Sequence, residues 1–387
     1  MQKTKSSKPK DTTPIRVFGL ASLLNDLGAY LIFPIWPVFL TSVLGANMTL
    51  LGLIDGLGDA MVSVSQAMSG YASDRLKKRK IFIWLGYFFG GLARLGYAIS
   101  TSWPMIIPFR IFDRMGKIRD APRDAVVADL STFQNRGTNF GYLRMMDKVG
   151  AVIGIVLCII LMNYFNYSQI FLVAAIPSII GAAMVVALIR EHKDGKIKLY
   201  KGIKFKQISK DFKIFVFVSA ALSLASFSYS FLLLFAKQEG YPDVVFPLLY
   251  LVFTLTAATF SLPFGRLADK IGKKQVMYIS LVLWIATCIG FMYFSQIWAI
   301  AIFFILYGLH KAALEPTQKA IVSDLAPAKY RASAIGGFEM IMGLCALPAS
   351  LIAGILWDAS SPKTTFLIAG ILSVLSIILL IFVKHEK

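Results

Sequence analysis

Apolar residues gather in long blocks separated by short polar stretches. Twelve apolar segments can be marked, at about 15–43, 48–72, 81–100, 103–129, 137–163, 168–190, 213–236, 244–268, 275–295, 297–325, 331–357 and 363–383. Most reach the ~20 residues that an α-helix needs to cross a hydrocarbon core. Lipid offers bare backbone groups no hydrogen-bond partner, so such segments are expected to be helices. A membrane β-barrel would show alternating stretches of about ten residues, and runs such as Ala151–Met162 and Ile368–Val383 do not alternate. The pattern predicts an all-α membrane protein with 12 transmembrane helices.

The charge lies mostly between the segments, and on one side. Arg75, Lys77, Lys78, Arg79 and Lys80 follow the second segment, and nine Lys or Arg residues fall between Arg190 and Lys213. Arg266 lies at the end of the eighth, and Lys270, Lys273 and Lys274 follow it. The loops on the opposite side contribute only Lys237 and Lys363. By the positive-inside rule the basic side is cytoplasmic and holds both termini. The expected organisation is an N-terminal tail at 1–14, a six-helix bundle at 15–190, a basic linker at 191–212, a second bundle at 213–383 and a tail at 384–387.

Composition narrows the class. The chain is 57% hydrophobic and only 16% charged, against about 25% charged in soluble domains. That excludes an ordinary soluble enzyme and a disordered chain. The net charge of +19 is accounted for by topology, so no nucleic-acid partner is implied. Cys158, Cys288 and Cys345, and His192, His310 and His385, are too scattered for a disulfide framework or a metal site. The polar, basic start Met1–Asp11 leads into a long apolar segment, unlike a cleavable signal peptide.

The halves repeat with one fixed shift of 195 residues. Gly70, Asp74 and Arg75 match Gly265, Asp269 and Lys270; Asp129 matches Asp324, Arg136 matches Arg331 and Gly141 matches Gly336. Duplicated halves imply pseudo-symmetry with a central site between them. The loops after the second and eighth segments resemble the signature of the major facilitator superfamily, Gly-x-x-x-Asp-Arg/Lys-x-Gly-Arg/Lys-Arg/Lys. The second copy fits throughout with Gly265, Asp269, Lys270, Gly272, Lys273 and Lys274; the first has Lys77 in place of the later glycine. Arg110–Asp129, Leu51–Gly56 and Arg136–Gly150 also resemble a bacterial branch of that superfamily, although Gly116-Lys117 runs straight into Ile118. The resemblance implies two pseudo-symmetric six-helix bundles. It also implies a conformational latch on the cytoplasmic side, built from Gly70, Asp74, Arg75, Gly265, Asp269, Lys270 and Gly272.

The fourth segment carries an unusual load of charge. Arg110, Asp113, Arg114, Lys117, Asp120 and Asp124 fall within an arc of roughly 120° on a regular helix. Asp113 and Arg114 come out roughly 15 Å deep, near the bilayer midplane. Arg119 and Arg123 lie off this stripe and nearer the cytoplasm, where they are expected to snorkel or to pair with a loop carboxylate. Asp26, Asp59 and Asp147 also come out near mid-membrane, with Asp55 in the outer third of its segment. Arg94, Arg144 and Lys148 are internal, as are His310, Lys311, Glu315, Lys319 and Glu339 in the second half. Lipid does not tolerate such groups, so they must face protein or a water-filled cavity. One reading is structural: Asp113 and Lys117 are spaced to neutralise each other on one helix face.

The other reading is functional. Arg110, Arg114, Arg144 and Lys311 offer donors to an anionic solute, with Tyr30 as a candidate binding residue in the wall. Trp36, Tyr142, Phe227, Tyr229 and Tyr307 are further aromatic candidates. Asp26, Asp59, Asp113 and Asp147 are candidate proton carriers, because a solute that draws an arginine away from a carboxylate favours proton uptake there. Pro34 and Pro37 are expected to bend the first segment and Pro316 the tenth. Gly86–Gly96 and Gly150–Gly154 suit close helix packing.

These features point to a secondary active transporter in a bacterial inner membrane. It would move a small polar, anionic organic solute, such as a polycarboxylate or an iron chelator, by proton-coupled alternating access. It would act as a monomer without a cofactor, its partners being the solute, protons and lipid. The alternative is a proton-coupled exporter of drugs or cations. No Ser/His/Asp set or phosphate-cradling glycine loop supports an enzyme, and no nucleotide-binding motif supports an ATP-driven pump.

Overall fold

The computed structural model describes residues 13–76, 78–131, 135–191, 210–326 and 331–383. Among them every regular element is helical and none is a strand. In chain order they are α1 (Thr13–Ile32), α2 (Met48–Leu76), α3 (Lys80–Ile99), α4 (Trp103–Met115 and Asp120–Leu130), α5 (Arg136–Leu161) and α6 (Tyr167–Leu188). The second half has α7 (Lys210–Leu224 and Tyr229–Gln238), α8 (Val245–Ile271), α9 (Lys273–Tyr293), α10 (Ile297–Leu325), α11 (Arg331–Ala359) and α12 (Pro362–Ile381). Ten are long and apolar enough to cross a membrane; the exceptions are α4 and α5. The expected tails and basic linker lie almost wholly outside the described residues, as does Lys77.

Three elements depart from simple rods. The α1 helix stops at Ile32, the chain turns through 33–35, and it resumes as a short turn at Trp36–Val38 and π-type turns at Phe39–Val43. Pro34 and Pro37 flank that break, and a proline ring clashes with the preceding turn and removes a donor. The α7 helix breaks at 225–228 and restarts with the Ser228 side chain accepting from the Ser230 amide. The α4 helix is interrupted by a tight 3₁₀ turn at Gly116–Arg119.

The α4 break corrects the sequence-based helical wheel. Three residues per turn instead of 3.6 add roughly 80° of rotation over four residues. Arg119 and Arg123 therefore turn inwards and are buried, instead of snorkelling. The Arg119 guanidinium bonds the Gly116 carbonyl and lies over the Tyr87 ring. Arg123 donates to Ser22 Oγ and to Asp124.

Within the first half, α1 packs on α5 and α6, and α3 on α6 and α4; in the second, α10 packs on α8 and α9, and α9 on α12. The halves meet where α2 crosses α11 and α5 crosses α8. The repeat is visible in the contacts. Arg79 pairs with Asp129, and Lys273 pairs with Asp324. The Lys80 ammonium donates to the Val186 carbonyl and that of Lys274 to the Ile381 carbonyl. The acceptors keep the 195-residue shift, whereas the donors are offset by one residue around the loop that contains Gly272. That glycine has φ of 103°, a conformation that an L side chain resists.

The two ends of the molecule differ. At the end away from the basic loops, Ile35, Trp36, Phe39 and Leu40 are buried against Phe231, Leu232 and Phe235 in one apolar cluster. There Asp358, at the end of α11, accepts from the backbone amides of Met48 and Thr49 and caps α2. Tyr167 Oη donates to Asp243, and Tyr229 Oη to the Phe33 carbonyl. At the basic end, a Cβ added to Gly141, Gly265, Gly336 or Gly337 would meet nothing within 4 Å. The apolar cluster and the Asp358 cap thus close one end, while α5, α8 and α11 present open space beside these glycines at the other.

Candidate functional site

A cavity of about 420 Å³ lies between the halves. The breaks in α1 and α7 shape its sealed end, because freed backbone and side chains there turn inwards. Asp55 on α2 is the hub of that end and is 2% exposed. Its Oδ1 accepts from Trp36 Nε1 at 2.8 Å and from an Arg110 guanidinium nitrogen at 2.7 Å. Its Oδ2 accepts from Ser228 Oγ at 2.7 Å and Ser230 Oγ at 2.6 Å. One carboxylate thus binds both halves. The Arg110 guanidinium also stacks on Trp36, 4.2 Å from the ring centre.

Towards the basic end the cavity is lined by Arg114, Asp59 and Lys148 from the first half and by Lys311 and Glu315 from the second. Tyr30, Phe33, Phe227, Tyr229, Tyr250, Phe253 and Tyr307 supply an aromatic wall. Arg114 lies over Phe33, and the Lys311 ammonium is 5.7 Å from the Tyr307 ring centre. With Arg110 and Asp55 bound to each other, the remaining cations outnumber the remaining carboxylates by one among the described lining residues. A smaller cavity inside the first half is lined by Asp26, Arg94, Asp113, Arg114, Lys117 and Arg119.

The structure brings together some of the residues singled out from sequence. Arg110, Arg114, Lys311, Asp59 and Tyr30 line the central cavity, as do Phe227, Tyr229 and Tyr307. Asp26 and Asp113 line the side cavity instead. The Arg144 side chain is 65% exposed and reaches Asp147 at 3.4 Å and Asp124 at 3.7 Å. Arg144 and Asp147 are in neither lining. Tyr142 packs at Gly19, away from the cavity. Asp113 makes no ion pair with Lys117 among the described residues; it lies 3.9 Å from Arg114, and Lys117 lies 3.8 Å from Asp120.

Of the latch residues, Gly70 and Arg75 are at the basic end of α2, and the Asp74 side chain is outside the description. Gly265, Asp269 and Lys270 close α8, with Asp269 and Lys270 exposed. His310 is buried, bonded to Ser280 and stacked on Trp284. No group of His, Cys, Asp or Glu among the described residues could hold a metal.

Sequence reasoning missed the hub role of Asp55 and the paired Ser228 and Ser230, and it placed Lys148 and Glu315 inside without giving them a part in the site. The available signal was Ser223, Ser226, Ser228 and Ser230 spaced two or three apart in an otherwise apolar segment. Such spacing is odd for a helix and marks backbone that needs side-chain partners.

The geometry agrees with the comparisons to known proteins. The family model described as Major Facilitator Superfamily matches residues 18–252 and 216–387. An uncharacterized MFS-type transporter of Methanocaldococcus jannaschii is 36% identical over 392 residues, covering 99% of this chain and 98% of that protein. The multidrug resistance protein MdtH of Aeromonas salmonicida is 23% identical over 378 residues, covering 95% and 94%. The crystal structure of the nucleoside transporter NupG superposes with a TM-score of 0.79 at 15% identity, covering 97% of this chain and 100% of that one. The chain belongs to the major facilitator superfamily, and is a multi-pass membrane transporter.

Proposed function

We propose that the chain is a secondary active transporter that moves a small polar organic solute carrying an anionic group, coupled to protons. In this reading all twelve helices cross a cytoplasmic membrane, with the basic loops and both termini on the cytoplasmic side. The halves alternate between the form described here, open at the basic end, and one open at the other. Gly70, Asp74 and Arg75, with Gly265, Asp269, Lys270 and Gly272, latch the basic end in that second form. Asp26, Asp59, Asp113 and Asp147 are the proton-carrying candidates.

The observation that carries this reading is the pair Arg114 and Lys311. One comes from each half, both line a cavity of about 420 Å³, and neither is committed to a short ion pair as Arg110 is. An anion held between them draws the halves together through charge-assisted bonds. Asp59 and Glu315 in the same lining leave room for a second, basic group on the solute. A drug-exporting reading is favoured by those two carboxylates, the aromatic wall and the likeness to MdtH.

Uptake into proteoliposomes under an imposed proton gradient separates the two. For organic anions, Arg114→Gln and Lys311→Gln should each lower uptake by about tenfold or more, the loss expected for a bond to a charged group. Asp59→Asn should abolish accumulation and spare exchange. Uptake of lipophilic cations that survives both basic substitutions but fails in Asp59→Asn would replace the anion reading with the exporter. Unimpaired proton-driven uptake in the Asn variant of any one carboxylate removes that residue from the proton path.

A further inference from the structure

The side cavity has a volume of about 160 Å³ and shares Tyr30, Phe33 and Arg114 with the central one. Its charged lining is Arg94, Arg114, Lys117 and Arg119 against only Asp26 and Asp113. Arg94 is 1% exposed, and its hydrogen bonds all go to uncharged oxygens: the Ala174 and Asn25 carbonyls at 3.1 Å and the Ser178 hydroxyl. No carboxylate among the described residues forms an ion pair with it.

The other ion pairs here are loose. Arg114 Nε is 3.9 Å from Asp113, Arg119 Nε 3.6 Å from Asp120, and an Arg119 terminal nitrogen 3.9 Å from Asp26. These lengths exceed a hydrogen bond. The Nε atoms of Arg94, Arg114 and Arg119 are buried and meet no acceptor among the described residues. Asp120, 3.6 Å from Arg119 and 3.8 Å from Lys117, narrows the excess from two charges to one without closing it, since Arg123 beside it has its own partner in Asp124. Water would satisfy the donors and leave the excess positive charge. A multi-oxygen anion satisfies both.

We propose that the side cavity is a binding site for an oxyanion group, a carboxylate or a phosphate, entered from the central cavity past Tyr30, Phe33 and Arg114. The proposal rests on the reading of the central cavity as the solute path. The oxyanion is either a free ion held beside the solute or the acidic end of the solute itself. In the second case the solute carries two anionic groups, one for the seam between the halves and one for the interior of the first half.

The test is calorimetric titration of the purified full chain in nanodiscs with inorganic phosphate and with citrate. Lys117→Gln and Arg94→Lys should each weaken phosphate binding by about tenfold or more. The Lys117 side chain is 36% exposed, so its variant should remain folded if the Arg94 variant does not. Phosphate and citrate competing for one site, both weakened in Lys117→Gln, assigns the cavity to the acidic end of the solute. Simultaneous binding, with only phosphate weakened, assigns it to a free ion.

Phosphate and citrate affinities that stay within about twofold in both variants overturn the side site. If citrate is then lost in Lys311→Gln, the central anion reading still stands. No binding of either probe to the unsubstituted chain sinks the side site and the anion reading together.

Discussion

Replacing Asp55 with Ala should hold the transporter open at the end away from the basic loops and lower transport by more than about a hundredfold. Asp55 accepts from Trp36, Arg110, Ser228 and Ser230. Removing it leaves Arg110 buried without its counterion, which costs about 3–5 kcal/mol. It also removes two charge-assisted bonds to hydroxyls on α7, each contributing about 1.5–3 kcal/mol. Those two bonds cross between the halves, so their loss falls on the sealed form and not on the form where α7 has moved away. An equilibrium responds only to such differences.

The double variant Ser228→Ala with Ser230→Ala isolates this cross-half part, because it keeps the Asp55–Arg110 pair. It should also favour the open form, by a smaller factor. Both shifts can be read from a cysteine placed at Leu40, which is fully buried in the sealed end, in a chain lacking Cys158, Cys288 and Cys345. Its labelling by a membrane-impermeant maleimide should quicken by about tenfold or more in each variant. An unchanged rate in both would remove Asp55 as the bond between the halves.

The legible and illegible parts of this site divide along a physical line. Helical periodicity and the basic loops are local signals, and they give the helices, the two halves and the repeat. The 195-residue shift read from Asp129 and Asp324 reappears as the paired loops Arg79–Asp129 and Lys273–Asp324. Burial forces charges on α4 into the protein, so Arg110 and Arg114 could be placed in a cavity by cost alone. Asp55 could not be given its role, since Ser228 and Ser230 lie 173 and 175 residues away and small hydroxyls are ordinary in membrane helices.

Arg144 falls outside both cavity linings for a different reason. The face of α5 that carries Gly150 and Gly154 packs against Leu23 and Leu27 of α1. Arg144 lies only about 40° around α5 from Lys148, which lines the central cavity, but one turn nearer the basic end, where its exposed side chain sits beside Asp124 and Asp147. Rotation about the axis was readable from residue counting, since Arg144 and Lys148 share a face; how far along α5 the cavity extends depended on where the other half packs. The 3₁₀ turn in α4 adds a rotation that no even periodicity anticipates, and it is what carries Arg119 into the side cavity.

Gly56→Val should block closure of the same end by pushing the halves apart. A Cβ at Gly56 would lie 2.7 Å from Leu347 Cα and 2.8 Å from the Leu347 carbonyl oxygen, and one at Gly52 would press on the Ser350 carbonyl. These neighbours are backbone atoms, so α2 and α11 must separate to admit a side chain. Overpacking of this kind costs about 1–3 kcal/mol or more, enough to shift a balanced two-state equilibrium by about five- to more than a hundredfold. The variant should still bind solute from the open side, with turnover lost and Leu40→Cys labelled faster. The backbone origin of the clash makes a sharper demand: Leu347→Ala shortens a side chain that is not the obstacle, and should not restore transport. Restoration by Leu347→Ala would mean that α2 and α11 meet through side chains, and the sealed end would then owe its closure to the Asp55 hub, the Asp358 cap and the apolar cluster rather than to backbone contact.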